Sequence, residues 1–210
     1  MPIDELKNEA LIQRYILSLL YFSANGANWF RKKYWLTYES ECSWYGVSCD
    51  IYPGIVSKLD LSSNNLIGSI PSELGQLRTL EELVMDSNHF HGNLPKELVN
   101  LKMLKTLKLS ENDTGRTLFS EIKFLSNLKE LDLGGNKFSG TFPFEISSLD
   151  TLEILDVSDN KIDGGIPDNF NGLQKLRKIS LKSNLLRGTT DMFHDLINLG
   201  KYTYYQHILV

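Results

Sequence analysis

Residues 56–79 read VSKLDLSSNNLIGSIPSELGQLRT, and this 24-residue pattern recurs along most of the chain. Written by position, the pattern is L-x-x-L-x-L-x-x-N-x-L-x-G-x-I-P-x-x-L-x-x-L-x-x. Self-similarity at a fixed period of about 20 to 50 residues is typical of a solenoid, in which stacked coils bury apolar edges that no single coil can bury. Copies of the pattern begin at Val56, Leu80, Leu104, Leu128, Leu152 and Leu176.

The spacing within one copy predicts how each coil folds. We expect the apolar positions 1, 4, 6, 11, 19 and 22 to face a common core. The x-x-L-x-L-x-x segment alternates like a strand, so strands of successive coils should form a parallel sheet with a spacing of about 4.8 Å. The ninth position is always asparagine, whose amide can satisfy backbone groups buried at the turn. This structural column is Asn64, Asn88, Asn112, Asn136, Asn160 and Asn184.

The residues before the first copy lack the repeat spacing and are expected to cap the solenoid. Residues 1–23 predict an amphipathic helix that ends at Asn25-Gly26. Bulky aromatic residues follow, and covering the apolar edge of the first coil explains them better than a ligand platform does. The run Arg31-Lys32-Lys33 is expected to be solvated. In the helix, Asp4 is the expected N-cap, and the expected buried side consists of Leu6, Ala10, Ile16, Leu19 and Leu20. The aromatic residues of the cap include Trp29, Trp35 and Trp44.

The chain has 210 residues and a formal net charge of −4. Mild acidity disfavours nucleic-acid binding, which depends on neutralising phosphates. The N-terminus lacks the basic start of a signal peptide, and no stretch approaches the ~20 apolar residues of a membrane span. We therefore expect a fragment of a longer protein, with any export signal or anchor elsewhere.

The L-x-G-x-I-P half of the pattern, as in LIGSIPSELGQL and IDGGIPDNFNGL, resembles the plant-specific class of leucine-rich repeat. That class occurs in receptor-like kinase ectodomains, receptor-like proteins and polygalacturonase inhibitors. The resemblance implies an α/β fold: a right-handed, horseshoe-shaped solenoid with a parallel β-sheet on its concave face. It also implies short second strands and 3₁₀ turns after the glycine.

Cys42 and Cys49 stand in C-S-W-Y-G-V-S-C, which is similar to the C-x-W-x-G-V-x-C of the N-terminal cap in that class. The resemblance implies a Cys42–Cys49 disulfide, and a structural disulfide implies an oxidising compartment. Two cysteines without a histidine at ligand spacing make only half of a metal site. The expected domains are a cap over residues 1–55, six repeats over 56–198 and the start of a seventh, truncated repeat over 199–210.

The third repeat departs from the pattern, with Thr114, Arg116 and Phe119 in place of Leu, Gly and Pro. Its length is still 24 residues, so we expect an intact coil with a distorted convex edge. Asn112-Asp113-Thr114 is formally a glycosylation sequon. We expect Asn112 to remain unmodified because it belongs to the inward column.

The outward positions 3, 5, 7 and 8 of the strand segments form the predicted recognition surface, because solenoids bind through their concave faces. This surface is acidic in the middle and basic in the last repeat, which favours a basic or polar ligand. Its candidate binding residues are Glu82, Asp86, Lys108, Glu111, Glu130, Asp132, Asp156, Asp159, Lys178 and Lys182.

Catalytic and metal sites are weaker interpretations of the same surface. Asp132 and Asp156 should lie roughly 5 Å apart, as carboxylates of retaining glycosidases do, and with Asp159 they offer oxygens to Ca²⁺. An open sheet does not exclude water, however, and Lys108 is expected to pair with Asp132. His89 and His91 lack a third ligand, and no nucleophile or phosphate-binding motif is present. We predict no catalytic residue, metal or cofactor here, although a longer parent protein could carry a kinase domain.

The sequence thus predicts a non-catalytic module that binds a protein or peptide within a receptor-like protein in ligand perception. The alternatives are an extracellular inhibitor of the polygalacturonase-inhibitor type and an intracellular scaffold. The expected location is extracellular or at the cell surface, with a cytoplasmic alternative. A co-receptor or further repeats could extend the open C-terminal end, while the ligand and the oligomeric state are not evident from the sequence.

Overall fold

The computed structural model describes residues 3–50, 54–118, 120–167, 170 and 172–188. Within them, one α-helix precedes a stack of coils, each contributing a strand to a larger sheet and then one to a second sheet. The elements are α1 Ile3–Ser23, β1 Val47–Cys49, β2 Val56–Asp60, β3 Ile67–Gly68, β4 Glu82–Val84, β5 His89–Gly92, β6 Thr106–Lys108, β7 Asp113–Arg116, β8 Glu130–Asp132, β9 Lys137–Thr141, β10 Ile154–Asp156, β11 Lys161–Gly165, β12 Lys178–Ser180 and β13 Leu185–Arg187.

The larger sheet has the order β1-β2-β4-β6-β8-β10-β12 and lines the concave face. All its pairs are parallel except β1 with β2, where the cap adds an antiparallel strand. The register is constant, so each repeat position stacks on the same position of the next coil; Glu130, for example, lies between Thr106 and Ile154. The predicted leucine-rich-repeat solenoid is confirmed.

The second sheet has the order β13-β11-β9-β7-β5-β3. Single turns of 3₁₀ helix follow its strands, and four of them span Ser72–Gln76, Lys96–Asn100, Ser120–Phe124 and Phe144–Ser148. These are the second strands and 3₁₀ turns that the family resemblance implied. Leucines of the repeat pattern fill the space between the two sheets, and Leu83, Leu104 and Leu131 are each fully buried.

The asparagine column forms a ladder inside the solenoid. Asn88 illustrates the unit: its Nδ2 donates to the carbonyls of Met85 in its own coil and Leu61 in the preceding coil, at 3.0 and 2.9 Å. Its Oδ1 accepts from the backbone N–H of Leu66 at 3.0 Å. Each amide therefore ties two coils together by groups that would otherwise be buried without partners. Asn112 is 8% exposed within this ladder, which leaves its sequon inaccessible in the fold.

Helix α1 packs differently from the prediction. It is already formed at Ile3, so Asp4 is not its N-cap, and it ends at Ser23 before Asn25 takes a positive φ of 58°. Ile16 and Leu20 are buried as predicted, but Leu19 is only partly buried and Ala10 is exposed. The side chain of Leu6 lies outside the described part.

The helix is instead oriented by a polar residue that the prediction missed. Gln13 is 3% exposed; its Oε1 accepts from the N–H of Val56 at 3.1 Å and its Nε2 donates to the carbonyl of Gly54 at 3.4 Å. Burying a side-chain amide requires partners, and these lie at the start of the first repeat. The helix orientation that these hydrogen bonds fix also buries Leu17, which was not among the predicted core residues.

The aromatic residues of the cap form one buried cluster. The ring centroids of Trp35 lie 4.8 Å from Trp29 and 4.9 Å from Trp44. Each indole N–H donates to a backbone carbonyl, so the three bulky side chains are buried without an orphaned donor. The predicted disulfide joins Cys42 and Cys49 close by.

Residues 31–33 are exposed, as predicted, but Arg31 also has a structural role. Its backbone N–H donates to Asn64 Oδ1 at 2.6 Å, and its carbonyl accepts from Asn64 Nδ2 at 2.8 Å. Its guanidinium donates to the carbonyl of Ser62 at 2.6 Å and lies 4.9 Å from the Tyr45 ring centroid. Arg31 thus supplies the first asparagine with partners that a preceding coil would otherwise provide.

The third repeat keeps its coil despite the substitutions. Thr114 is 1% exposed at a leucine position, and its hydroxyl bonds to Asn136 Oδ1 at 2.5 Å. Arg116 takes a φ of 82° in the glycine column, close to the 83° of Gly92. The predictions for Phe119 and for the seventh repeat at 199–210 fall outside the described residues.

Candidate functional site: the concave face

The larger sheet brings all ten predicted binding residues onto one face. They occupy the four outward positions of its coils, either on a strand or just after it, and none is buried. Constant register turns these positions into columns, so side chains 24 residues apart become neighbours. The concave face is therefore a continuous surface with chemistry that changes from coil to coil.

Ion pairs neutralise part of this surface. Lys58 Nζ lies 2.5 Å from Glu82 Oε1, and Lys182 Nζ lies 3.5 Å from Asp159 Oδ2. Lys108 Nζ lies 2.9 Å from Glu130 Oε1, so the expected pairing of Lys108 with Asp132 is wrong. Glu130 and Asp132 both face Lys108 from the neighbouring strand, and stacking alone did not reveal which of the two it would contact.

Asp132 and Asp156 are paired in register on adjacent strands and are held by hydrogen bonds. Asp132 accepts from the hydroxyl of Ser110 at 2.9 Å and from the N–H of Gly134 at 3.1 Å. Asp156 accepts from the hydroxyl and the N–H of Ser158 at 2.6 and 2.9 Å. Burial raises the pKa of Asp132 above its usual value, the hydrogen bonds act in the opposite direction, and the charge of Asp156 adds to the increase.

In the fourth repeat, Gly134 and Gly135 stand at two outward positions, and carboxylates lie over both of them. A Cβ on Gly134 would come 3.1 Å from an Asp156 oxygen and 3.5 Å from an Asp132 oxygen, and one on Gly135 would come 2.5 Å from a Glu111 oxygen. Glu111, Asp132 and Asp156, here called the carboxylate cluster, therefore occupy the space that side chains at these two positions would fill. The repeat pattern did not predict this cluster, although an outward position without a side chain is a readable signal.

The two histidines considered as metal ligands lie outside the concave face. His89 and His91 are exposed on β5 of the second sheet. No group of three His, Cys, Asp or Glu residues within the described ranges could hold a metal ion. Among these residues, too, no helix combines the length and apolar character that crossing a membrane requires. The concave carboxylates can accept hydrogen bonds and attract cations, but they lie on an open sheet.

Comparison with known proteins gives the same architecture. The family model described as Leucine Rich Repeat matches residues 56–77, 127–149 and 151–173. A probable LRR receptor-like serine/threonine-protein kinase of Arabidopsis thaliana is 48% identical over 46 residues, which are 22% of this chain and 6% of that protein. The chain thus spans only a small part of this curated relative.

Two solved structures show how far the likeness extends. The LRR ectodomain of the Arabidopsis receptor kinase HAESA, in complex with an extended IDA peptide hormone, has a TM-score of 0.79 and 28% identity, covering 94% of this chain and 33% of that one. The LRR ectodomain of the receptor kinase SOBIR1 from Arabidopsis thaliana has a TM-score of 0.70 and 26% identity, covering 85% of this chain and 95% of that one. With the repeat pattern and the disulfide-bearing cap, these findings show that the chain has the leucine-rich-repeat solenoid fold of plant LRR receptor kinase ectodomains.

Proposed function

We propose that the chain is a non-catalytic, extracellular ligand-binding module of a receptor-like protein, and that it binds a peptide through the centre of its concave face. The HAESA ectodomain, whose fold it shares, carries a peptide hormone. The division into a cap over residues 1–55 and six repeats over 56–198 is part of this proposal. The observation that carries it is the carboxylate cluster over Gly134 and Gly135.

The carboxylate cluster favours a cationic side chain of the ligand. None of Glu111, Asp132 and Asp156 makes an ion pair with a lysine or arginine of the described part of the chain, so this negative charge is free for a ligand. A guanidinium suits the site best because its planar fork can donate to two carboxylates at once. Charge at such a site acts mainly on association rate and selectivity.

Two further observations support the cellular setting and the absence of catalysis. The Cys42–Cys49 disulfide is a feature of oxidising compartments, which favours an extracellular module over a cytoplasmic scaffold. The carboxylates of this cluster lie on an open face, whereas general acid–base catalysis by paired carboxylates depends on a site that holds a substrate between them. Ligand perception is therefore the function that the geometry supports best.

A selection experiment tests this proposal and does not require that the natural ligand be identified first. A phage-displayed library of random 12-residue peptides is selected on the full chain, and bound clones are measured against Asp132→Asn/Asp156→Asn. We expect enriched peptides to carry Lys or Arg and to lose at least tenfold in affinity on this variant, since only charge is removed. The matched control is Asp163→Asn, an exposed acid on β11 of the second sheet.

Enrichment of peptides without basic residues would refute the proposal. So would affinities that do not change in Asp132→Asn/Asp156→Asn, or that change equally in Asp163→Asn. A salt dependence that survives removal of the two carboxylates would likewise place the binding site elsewhere.

A further inference from the structure

The stretch of residues 30–38 in the cap exposes more apolar surface than its packing needs. Phe30 is 75% exposed and Tyr38 is 93% exposed, while Tyr34 and Leu36 are each more than 40% exposed. Trp35 is the one buried side chain of the stretch: it is 6% exposed and its indole N–H donates to the carbonyl of Tyr45 at 2.9 Å. The four exposed side chains therefore contribute little to the core of the cap.

The backbone of this stretch is held in an uncommon conformation. Tyr34 and Leu36 take φ values of 67° and 60°, which is unusual for bulky side chains and occurs where surrounding contacts impose it. Arg14 imposes part of it by donating to the carbonyls of Thr37 and Glu39 at 2.9 and 2.6 Å. The exposed side chains are thus presented from a fixed backbone, which reduces the entropy lost when a partner binds.

Positive charge accompanies the exposed aromatic rings. Arg31 is engaged with the first repeat, but Lys32 and Lys33 form no ion pair with any carboxylate among the described residues. Lys32 Nζ donates to a backbone carbonyl, and Lys33 Nζ lies 4.7 Å from the Tyr34 ring centroid. On a chain of net charge −4, this is a local patch of uncompensated cations.

A cavity of about 540 Å³ opens beside the stretch, between α1 and residues 38–41. Leu11, which is 67% exposed, and Tyr38 form its apolar wall, and Arg14 and Glu41, which contact each other, form its polar wall. Its volume falls within the roughly 300–1,000 Å³ of ligand pockets. The cavity can accept an apolar side chain.

We propose that residues 30–38 and Leu11, here called the cap surface, form a second binding surface whose occupant is an acidic segment of a partner protein bearing an aromatic or aliphatic side chain. Charge complementarity selects the acidic partner, and the cavity selects the apolar side chain. Exposed aromatic residues next to cations are also the composition of binding hot spots. Electrostatic membrane attachment uses clusters of about four to eight basic residues, more than the two free cations here.

The test uses the full chain carrying Asp132→Asn/Asp156→Asn, which removes the negative charge proposed to attract basic peptides and adds no positive charge that would attract acidic ones. A phage-displayed library of random 12-residue peptides is selected on it, and affinities of synthetic peptides are measured by fluorescence polarisation. We expect enriched peptides to be acidic and to contain an aromatic or large aliphatic residue. Affinity should fall at least tenfold in Lys32→Glu/Lys33→Glu and in Tyr38→Ser, while Lys96→Glu/Lys175→Glu, two exposed lysines outside the cap, should leave it unchanged.

Enrichment of neutral or basic peptides would overturn the proposal, as would affinities that the cap variants do not change. Two other occupants are tested in parallel on the unaltered chain. Binding to phosphatidylserine vesicles that Lys32→Glu/Lys33→Glu abolishes would assign the cap surface to a membrane instead. Self-association in sedimentation velocity, lost in the same variant, would assign it to the acidic face of a second copy.

Discussion

Replacing Asn136 by alanine tests whether the asparagine ladder holds the coils together. Asn136 Oδ1 accepts from the N–H of Thr114 at 3.1 Å and from its hydroxyl at 2.5 Å. Its Nδ2 donates to the carbonyls of Leu109, Leu133 and Gly134 at 2.9 to 3.2 Å. Asn136→Ala removes all these contacts from the interior.

The expected cost follows from which groups lose their only partner. The three carbonyls keep other donors: Leu109 accepts from Asn112, Leu133 from Asn160, and Gly134 from the N–H of Glu111. The Thr114 N–H and hydroxyl have no such substitute among the hydrogen bonds of the described residues, and each buried unsatisfied donor costs about 1–3 kcal/mol. Adding about 0.5–1 kcal/mol for the weakened carbonyl contacts, we expect the free energy of unfolding to fall by about 2.5–7 kcal/mol.

Urea unfolding followed by circular dichroism measures this change, with the slope against urea checked for two-state behaviour. Asn127→Ala is the matched control, because Asn127 is exposed and makes one hydrogen bond, to the carbonyl of Lys102 at 2.7 Å. The free energy of unfolding of Asn127→Ala should fall by well below about 1 kcal/mol. Equal effects of the two substitutions would refute the role assigned to the ladder.

Three further outcomes follow from the fold, each read from chemical unfolding. Arg116→Gly should raise the free energy of unfolding by up to about 1 kcal/mol, because Arg116 has a φ of 82°. Gly92→Ala, at a φ of 83°, should lower it by a similar amount, since the new Cβ makes no steric contact. The reverse signs would contradict a backbone cost. Gly68→Ala should lower it by more, since the new Cβ would lie 2.0 Å from the carbonyl oxygen of Ser23; an unchanged midpoint would contradict this close approach. The raised pKa of Asp132 means that the folded state binds its proton more tightly than the unfolded state, so stability relative to Asp132→Asn should fall as pH rises above about 4; a difference independent of pH would contradict this.

Burial of the leucine and asparagine columns could be predicted because both follow one period. A residue that recurs every 24 positions meets the same surroundings in each coil, so six observations support one conclusion. The helix offered no such repetition. Its pattern favoured Ala10 over Gln13 as a core residue, because the partners of Gln13 lie about 40 residues further on, at Gly54 and Val56.

The candidate site was predictable by position and not by contact. Stacking placed Asp132 beside Asp156. The partner of Lys108, however, depended on which of two carboxylates on the neighbouring strand its side chain contacts. Asp132 accepts a hydrogen bond from Ser110 of the preceding coil. In its own coil the corresponding position is Gly134, which has no hydroxyl. Such contacts depend on neighbouring coils that differ in sequence, and the repeat pattern averages over those differences.

The amino-acid sequence by itself determined the architecture: the period, the inward columns, the parallel sheet and the face on which ligand-binding groups stand. Only the tertiary structure decided that three carboxylates gather over Gly134 and Gly135, how Arg31 completes the first coil, and that residues 30–38 display aromatic and basic side chains from a fixed backbone. The physical reason is that periodic local patterns specify burial, whereas partners and cavities arise between residues far apart in the chain.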